Sequence, residues 1–194
     1  GEGCHAATPD RGIDPIIVAS QVVNALQTFV SRRLSPLDHA VVSVTMIEAG
    51  SAYNIIPDAA TLRGTVRCLQ PETRRRIREL MQEMVDHLPK AFGVTGTLNY
   101  REGYPVTQNA PAAAERLAKV ARNILGEENV RWDALPSMVT EDFAYMLETC
   151  PGAYFWLGAD SESKLTPLHN PHYDFNDALI PIGVKLFVGL AMSH

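Results

Sequence analysis

Within residues 14–100, hydrophobic residues recur at helical spacing in some segments and at strand spacing in others. The order of these segments constrains the fold more than any other feature of the chain. Asp14-Pro15 is a typical helix start, because Asp can cap the first turn and Pro fits the first helical position. The pattern predicts, in order, a helix over 14–33, strands over 41–47 and 62–68, a helix over 71–90 and a strand over 94–100. This order predicts a split βαββαβ unit whose first strand would precede Gly1.

The alternation within the predicted strands indicates which side chains share a face. In the first strand, Val42, Val44 and Met46 are expected on one buried face. In the second strand, Arg63 and Arg67 are expected together on a polar face. This part of the chain is therefore expected to form a small sheet with one covered side.

The pattern changes beyond a stretch of linker composition at 103–109, and we place a domain boundary near residue 108. The predicted elements beyond it are helices over 111–125, 140–149 and 181–192, and strands over 129–132 and 153–158. Because helices and strands alternate in both parts, the sequence predicts the α/β class, with one domain over 1–108 and another over 109–194.

The composition argues against several classes of function. With 17 basic and 22 acidic residues, the net charge of −5 offers no general attraction to nucleic acid or to an anionic membrane. The basic cluster at 74–78 is interpreted as a solvated helix face rather than a nucleic-acid site, since no aromatic residues are interleaved with it. No apolar run approaches the roughly 20 residues of a membrane span, and no signal-peptide pattern is present. Three widely spaced cysteines fit no disulfide framework, so we expect a soluble, cytoplasmic protein.

Four residues are candidates for chemistry, and each also has an ordinary structural interpretation. His169 lies between two prolines that restrict the backbone, which could hold an imidazole ready for a metal ion or could form a plain surface turn. His5 follows a flexible Gly-x-Gly turn, which could present a ligand-binding imidazole or only connect two elements. Asn54 could cap a turn, and Arg67 could solvate a strand edge, although its planar guanidinium suits a carboxylate.

Five ordered motifs cover nearly the whole chain. They are Gly1 to Ala7 (Gly-x-Gly-x-His-Ala-Ala), Ala52 to Asp58, Gly64 to Arg67, Ser137 to Phe143 and Pro167 to Pro171. With these motifs the chain resembles the carboxy-terminal half of the dinuclear metallo-amidohydrolases of the aminoacylase, hippurate hydrolase and carboxypeptidase G type, in their N-acyl-amino-acid hydrolase branch. It departs from them at Cys4, where such sequences usually have glycine, and at Val139-Thr140, which replaces a pair of small residues, so the pocket shape there is expected to differ.

The resemblance implies an α+β lid of the split βαββαβ type over 1–108 that also forms a homodimer, and part of a zinc-peptidase-like catalytic domain over 109–194. It implies two divalent metal ions, zinc or manganese, in the complete enzyme, with His169 as one ligand. By the same resemblance, Asn54 and Arg67 hold the substrate's carboxylate and the developing oxyanion. His5 is then expected to reach the active site of the neighbouring subunit.

The expected reaction is the hydrolysis of N-acyl amino acids, such as hippurate, to a carboxylic acid and an amino acid. The other metal ligands and the glutamate base of this family lie upstream of the lid, so we expect the fragment alone to be inactive, and it need not hold a metal ion by itself. Two alternatives stay open: a non-catalytic dimerisation or ligand-binding module, and a metallopeptidase acting on short peptides. Cys4 beside His5 also allows a thiolate nucleophile, although the resemblance implies a different mechanism.

Overall fold

The computed structural model describes residues 1–159, 166 and 170–193, and helices and strands are mixed in it as the α/β class predicts. Contacts between residues divide the chain into two compact units, Gly1–Val106 and Thr107–His194. They are called unit 1 and unit 2.

Unit 1 combines short antiparallel ribbons with two helices. Its elements are β1 (Cys4–His5), α1 (Pro15–Thr28), β2 (Ala40–Ala49), β3 (Ile55–Ile56), β4 (Ala60–Cys68) and α2 (Pro71–His87). Strand β2 pairs antiparallel with β4, and β1 pairs antiparallel with β3. The helix predicted over 14–33 is confirmed, because a π-helical turn at Phe29–Arg33 continues α1 and the Asp14 carboxylate accepts the first-turn N–H of Ile16 at 2.8 Å.

A bulge interrupts the alternation of β2. Val44 lies opposite Gly64, whereas Met46 lies opposite Arg63, so one extra residue of β2 stands between two consecutive pairs. An extra residue moves the following side chains to the other face of the ribbon. The prediction that Val44 and Met46 share a face is therefore wrong, and Met46 lies on the face of Arg63.

The core of unit 1 lies where the β2–β4 ribbon meets the two helices. Its buried residues are Leu26, Phe29, Val42, Ile77, Leu80 and Met81. The ribbon is tightest at Gly64, where an added Cβ would lie 2.2 Å from the carbonyl oxygen of Ser43. Because the obstacle is backbone and cannot rotate away, the glycine of the Gly-Thr-Val-Arg motif is required by close approach of the two strands.

Residues 94–100 pack against α2 instead of joining a sheet. Their side chains are alternately more and less buried, yet the sheets that the structure describes contain only β1 with β3 and β2 with β4. The predicted strand is therefore wrong, because a strand needs a hydrogen-bonded neighbour. The Arg78 guanidinium lies 5.8 Å from the Tyr100 ring centre and 3.0 Å from a carboxylate oxygen of Glu102. The basic cluster of α2 is thus partly engaged within unit 1 rather than wholly solvated.

Within the described residues, unit 2 contains three α-helices joined by connecting segments. They are α3 (Pro111–Leu125), α4 (Phe143–Thr149) and α5 (Leu179–Met192), and α3 packs against α5. The three predicted helices are confirmed, although α4 begins at Phe143 rather than at residue 140. None of the helices within the described ranges is long and apolar enough to cross a bilayer.

The strands predicted over 129–132 and 153–158 are wrong. A 3-10 turn ends at Asn129, and the side chain of Asn109 takes the place that a neighbouring strand would have beside Tyr154. The Asn109 amide donates to the Tyr154 carbonyl oxygen at 2.8 Å, and its oxygen accepts the Tyr154 N–H at 2.7 Å. One side-chain amide thereby supplies the donor and the acceptor that a strand partner normally provides.

Candidate functional site

The β1–β3 ribbon holds His5 in one tautomer. His5 pairs with Ile55, and the Nδ1 atom of its ring accepts the backbone N–H of Ala7 at 3.1 Å. A backbone N–H can only donate, so Nδ1 carries no proton and the neutral ring holds its proton on Nε2. Because the side chain is exposed, the Nε2–H can donate to an oxygen of a ligand.

Asn54 lies beside the same ribbon. Its carbonyl oxygen accepts the N–H of Ala6 at 3.0 Å, one residue beyond the pair of His5 with Ile55. Residues paired in an antiparallel ribbon lie about 5 Å apart, so the backbones of His5 and Asn54 are near neighbours. The sequence separates these two motifs by about fifty positions, and the pairing of β1 with β3 brings them together.

Arg67 lies near the far end of β4. It shares a face with Arg63, as predicted, and its guanidinium donates to the neighbouring Val66 carbonyl oxygen at 3.0 Å. Arg63 is 3.3 Å from a carboxylate oxygen of Glu48, whereas Arg67 has no Asp or Glu partner within the part of the chain that the structure describes. A half-buried guanidinium without a carboxylate partner can accept a carboxylate from a ligand.

The ribbon keeps Arg67 apart from His5 and Asn54. Arg67 lies seven positions along β4 from Ala60, where the connection from Asn54 enters the strand, and this stretch spans about 23 Å. An open depression near the entry point, beside the β1–β3 ribbon, is lined by Gly3, Gly50, Ser51 and residues 55–59. The structure therefore joins two of the candidate residues and sets a third at the other end of β4.

The predicted metal ligand, His169, lies outside the described residues. Over residues 1–159, 166 and 170–193, no group of three or more His, Cys, Asp or Glu side chains could hold a metal ion. The described residues therefore do not provide a dinuclear metal site on their own.

Cys4, Cys68 and Cys150 are free thiols, as the sequence predicts. Burial raises the pKa of the Cys68 thiol, and the nearby Arg74 charge offsets this effect only in part. The Cys68 thiol therefore stays protonated near neutral pH and is a poor nucleophile.

The residues around Tyr154 were not recognised as a group from the sequence. Burial raises the pKa of Tyr154, and a hydrogen bond to Glu141 raises it further. The Tyr154 ring packs 5.9 Å from Phe143 and 5.5 Å from Trp156, measured between ring centres. In the sequence, the motif around Glu141 was the one feature that indicated this group of residues. No local sequence pattern connected Glu141 to Tyr154 or to Asn109.

The fold and the His5–Asn54 pair define an α/β-class protein that presents an exposed imidazole donor beside the backbone of an asparagine. The chain belongs to Peptidase family M20/M25/M40, whose sequence profile matches residues 4–193. It is 35% identical to a hippurate hydrolase of Campylobacter jejuni over 194 residues, which are 100% of this chain and 50% of that protein. It is 36% identical over 197 residues to IAA-amino acid hydrolase ILR1-like 2 of Arabidopsis thaliana, covering 100% of this chain and 45% of that protein.

A solved structure shows the same fold. The Bacillus subtilis YXEP protein, described as a dinuclear metal binding peptidase of the M20 family, superposes with a TM-score of 0.68 at 28% identity, covering 92% of this chain and 46% of that one. The chain thus spans about half the length of the relatives that it matches.

Proposed function

We propose that this chain is part of a metal-dependent amidohydrolase that cleaves N-acyl amino acids, such as hippurate, into a carboxylic acid and an amino acid. Family membership and relatives named for the hydrolysis of hippurate and of IAA-amino acids support this reaction. The proposal rests on the hydrogen bond from the Ala7 N–H to His5 Nδ1, from which the proton of the neutral ring is assigned to Nε2. Its exposed Nε2–H suits a carbonyl oxygen that gains negative charge as an amide is attacked.

Arg67 and Asn54 have the chemistry for substrate binding. We assign Arg67 to the substrate's carboxylate, because it is half-buried, lies on a rigid strand and has no carboxylate partner among the described residues. We assign Asn54 to the scissile amide, since its side-chain amide offers both a donor and an acceptor and its backbone neighbours that of His5.

The proposed cofactor is a pair of divalent metal ions, zinc or manganese, with His169 as one ligand. The description of the Bacillus subtilis structure as dinuclear supports metal ions in general. The described residues form no group of three or more His, Cys, Asp or Glu side chains that could hold a metal ion. The role of the chain's own residues is to orient the substrate and to hydrogen-bond the oxygen that becomes charged.

The proposed assembly is a homodimer in which residues 1–108 form the lid and residues 109–194 belong to the catalytic domain. An N-acyl amino acid has the length of two or three residues, about 7–11 Å, whereas about 23 Å of strand separates Arg67 from the start of β4. One substrate is therefore too short to reach from Arg67 to the Ala60 end of β4, where the connection from Asn54 enters the strand. This separation favours an active site that takes His5, together with its neighbour Asn54, from the neighbouring subunit.

The reaction is tested with the gene product that extends this chain to the length of its relatives. Hydrolysis of hippurate and N-acetyl amino acids is measured with added Zn or Mn, and dipeptides are included in the same panel. We expect turnover of N-acyl amino acids. Cleavage of dipeptides alone would favour a peptidase, and no turnover across the panel would favour a non-catalytic module.

A mixing experiment tests the shared active site. His5→Ala and His169→Ala are each expected to abolish turnover in homodimers of that longer product. If His5 serves the neighbouring subunit, hybrid dimers hold one intact site, and random mixing of equal amounts restores about a quarter of the wild-type activity. A mixture that stays inactive while subunits exchange would show that His5 acts within its own subunit or not at all.

A further inference from the structure

A depression of about 310 Å³ lies in unit 1 beside the first turn of α2. One wall is the turn that follows the π-helical end of α1, and the other is the start of α2. None of His5, Asn54 and Arg67 lines the depression, so the proposed function gives it no role. Its volume is at the lower end of the range for small-molecule sites. The charged and hydroxyl-bearing residues that line it are Arg33, Ser35, Asp38, Glu72, Thr73 and Arg76.

Backbone hydrogen bonds fix the two walls of the depression. The Leu69 N–H donates to the His39 carbonyl oxygen at 3.3 Å, which joins the connections that lead into β2 and out of β4. Within the first wall, the Asp38 N–H donates to the Ser35 carbonyl oxygen at 2.9 Å. A depression whose walls are already held in place loses little entropy when a ligand enters.

Thr73 brings a buried hydroxyl without a partner to this depression. The residue is 5% exposed, and its hydroxyl makes no hydrogen bond to any residue in the described part of the chain. The oxygen is nevertheless not one of the fully covered polar atoms, so the hydroxyl belongs to the small part of Thr73 that remains open. A buried hydroxyl without a partner is unfavourable, and a ligand atom that accepts its proton removes this penalty.

The first turn of α2 adds further donors at the same place. The first N–H groups of an α-helix have no partner within the helix, and the side chain of Gln70 at the N-cap makes no hydrogen bond to them. Because α2 is 17 residues long, its N-terminus also carries the partial positive charge of the helix dipole. A carboxylate can therefore accept hydrogen bonds from the Thr73 hydroxyl and from these N–H groups together.

The formal charges around the depression are balanced. Arg33 and Arg76 line it, and so do Asp38 and Glu72. Each guanidinium has one glutamate partner outside the depression, at 3.9 Å and 3.4 Å, and all four side chains of these two pairs are about half exposed. Such pairs contribute little, so the guanidiniums remain available to a ligand. The two carboxylates of the lining repel a simple anion and favour a ligand that carries both signs of charge.

We propose that this depression binds a free α-amino acid. The carboxylate of the amino acid accepts hydrogen bonds from Thr73 and from the first turn of α2, and its ammonium group donates to Asp38 and Glu72. The site belongs to unit 1 alone and does not depend on the proposed function. An amino acid is also a product of the proposed hydrolysis, so the longer gene product would meet this ligand during turnover.

L-Alanine, propionate and ethylamine form a matched set for the test, because propionate lacks the amino group of alanine and ethylamine lacks its carboxylate. Each compound, and inorganic phosphate, is titrated into the isotope-labelled 194-residue chain while the amide NMR signals of residues 33–38 and 70–76 are followed. We expect saturable shifts with L-alanine at about millimolar concentration. Propionate, ethylamine and phosphate should each bind at least about tenfold more weakly.

Four substitutions locate the site. Thr73→Val removes the hydroxyl but keeps the shape of the side chain, and it should weaken L-alanine binding about tenfold. Asp38→Asn should remove the advantage of L-alanine over propionate. Arg76→Gln should weaken the binding of L-alanine about threefold. Arg75→Gln makes the same change of charge at an exposed neighbouring position outside the depression and should leave binding unchanged.

Far-UV circular dichroism checks that each variant is folded. If Thr73→Val does not fold, the two arginine variants decide the question, since both positions are exposed. Three results would overturn the proposal. Equal binding of L-alanine and of propionate or phosphate would identify a plain anion site, and equal weakening by Arg76→Gln and Arg75→Gln would show a general effect of charge. The third is the absence of any saturable shift in residues 33–38 and 70–76.

Discussion

Replacing Gly64 by Ala should destabilise unit 1, although the same change in an unobstructed strand is stabilising. Without an obstacle, Ala gains about 0.5–1 kcal/mol over Gly because it restricts the unfolded chain. At Gly64 the new Cβ would lie 2.2 Å from the Ser43 carbonyl oxygen, so the β2–β4 ribbon must open by about 1 Å. We expect a net loss of about 2–3 kcal/mol, the usual cost of overpacking, which lowers the melting temperature of a unit of this size by about 10–20 °C.

The chain provides an assay that distinguishes the two units and a matched control. Its two tryptophans, Trp132 and Trp156, both belong to unit 2, whereas far-UV circular dichroism reports on both units. Gly64→Ala should lower the melting temperature measured by circular dichroism more than the melting temperature measured by tryptophan fluorescence. Gly103→Ala, where no atom lies within 4 Å of the new Cβ, should change stability by no more than about 0.5 kcal/mol. Equal transitions for the two variants would refute the argument from close approach.

Three further perturbations test other parts of the structure. Asn109→Asp keeps the acceptor for the Tyr154 N–H but loses the donor to the Tyr154 carbonyl oxygen. The free energy of unfolding of unit 2, measured by urea titration with tryptophan fluorescence, should therefore fall by about 1–2 kcal/mol. An unchanged urea midpoint would contradict this pairing. The folded-state pKa of Tyr154 is raised above its ordinary value near 10. The stability that Tyr154 contributes is therefore present below that pH and is lost as the pH rises through the folded pKa. Tyr154→Phe should flatten this alkaline loss of stability and remove one late step from the tyrosinate absorbance titration. In the longer gene product, Arg67→Ala should raise KM with unchanged metal content, whereas His169→Ala should lower the bound metal measured by elemental analysis; the opposite pattern would exchange their proposed roles.

The elements that could be predicted from the sequence are those with local causes. Asp14 and Pro15 determine the start of α1 through a cap and a fixed backbone angle, and both act within one turn. The predicted strands at 94–100 and 153–158 failed for a physical reason, since alternation describes one side of a ladder and says nothing about whether a neighbour is present. Where that neighbour is missing, α2 or the side chain of Asn109 contacts the segment instead.

For the candidate site too, local sequence patterns did not show which segments pair. His5, Asn54 and Arg67 could be selected from the sequence by residue type, because imidazole, amide and guanidinium groups have characteristic hydrogen-bonding partners. Their arrangement depended on the pairing of β1 with β3, which joins segments about fifty positions apart and follows no local rule. The tautomer of His5 needed the position of the Ala7 N–H, which only the folded turn provides.

The bulge in β2 changes how substitutions along this strand should be interpreted. Upstream of it, the even-numbered Val42 and Val44 lie on the core side of the ribbon, and beyond it the odd-numbered Ile47 lies on that side. A deep mutational profile should therefore change phase at residue 45. Deleting Thr45 would remove the extra residue and leave Met46 opposite Arg63, so the later side chains of β2 would keep their faces while the ribbon lost its bulge.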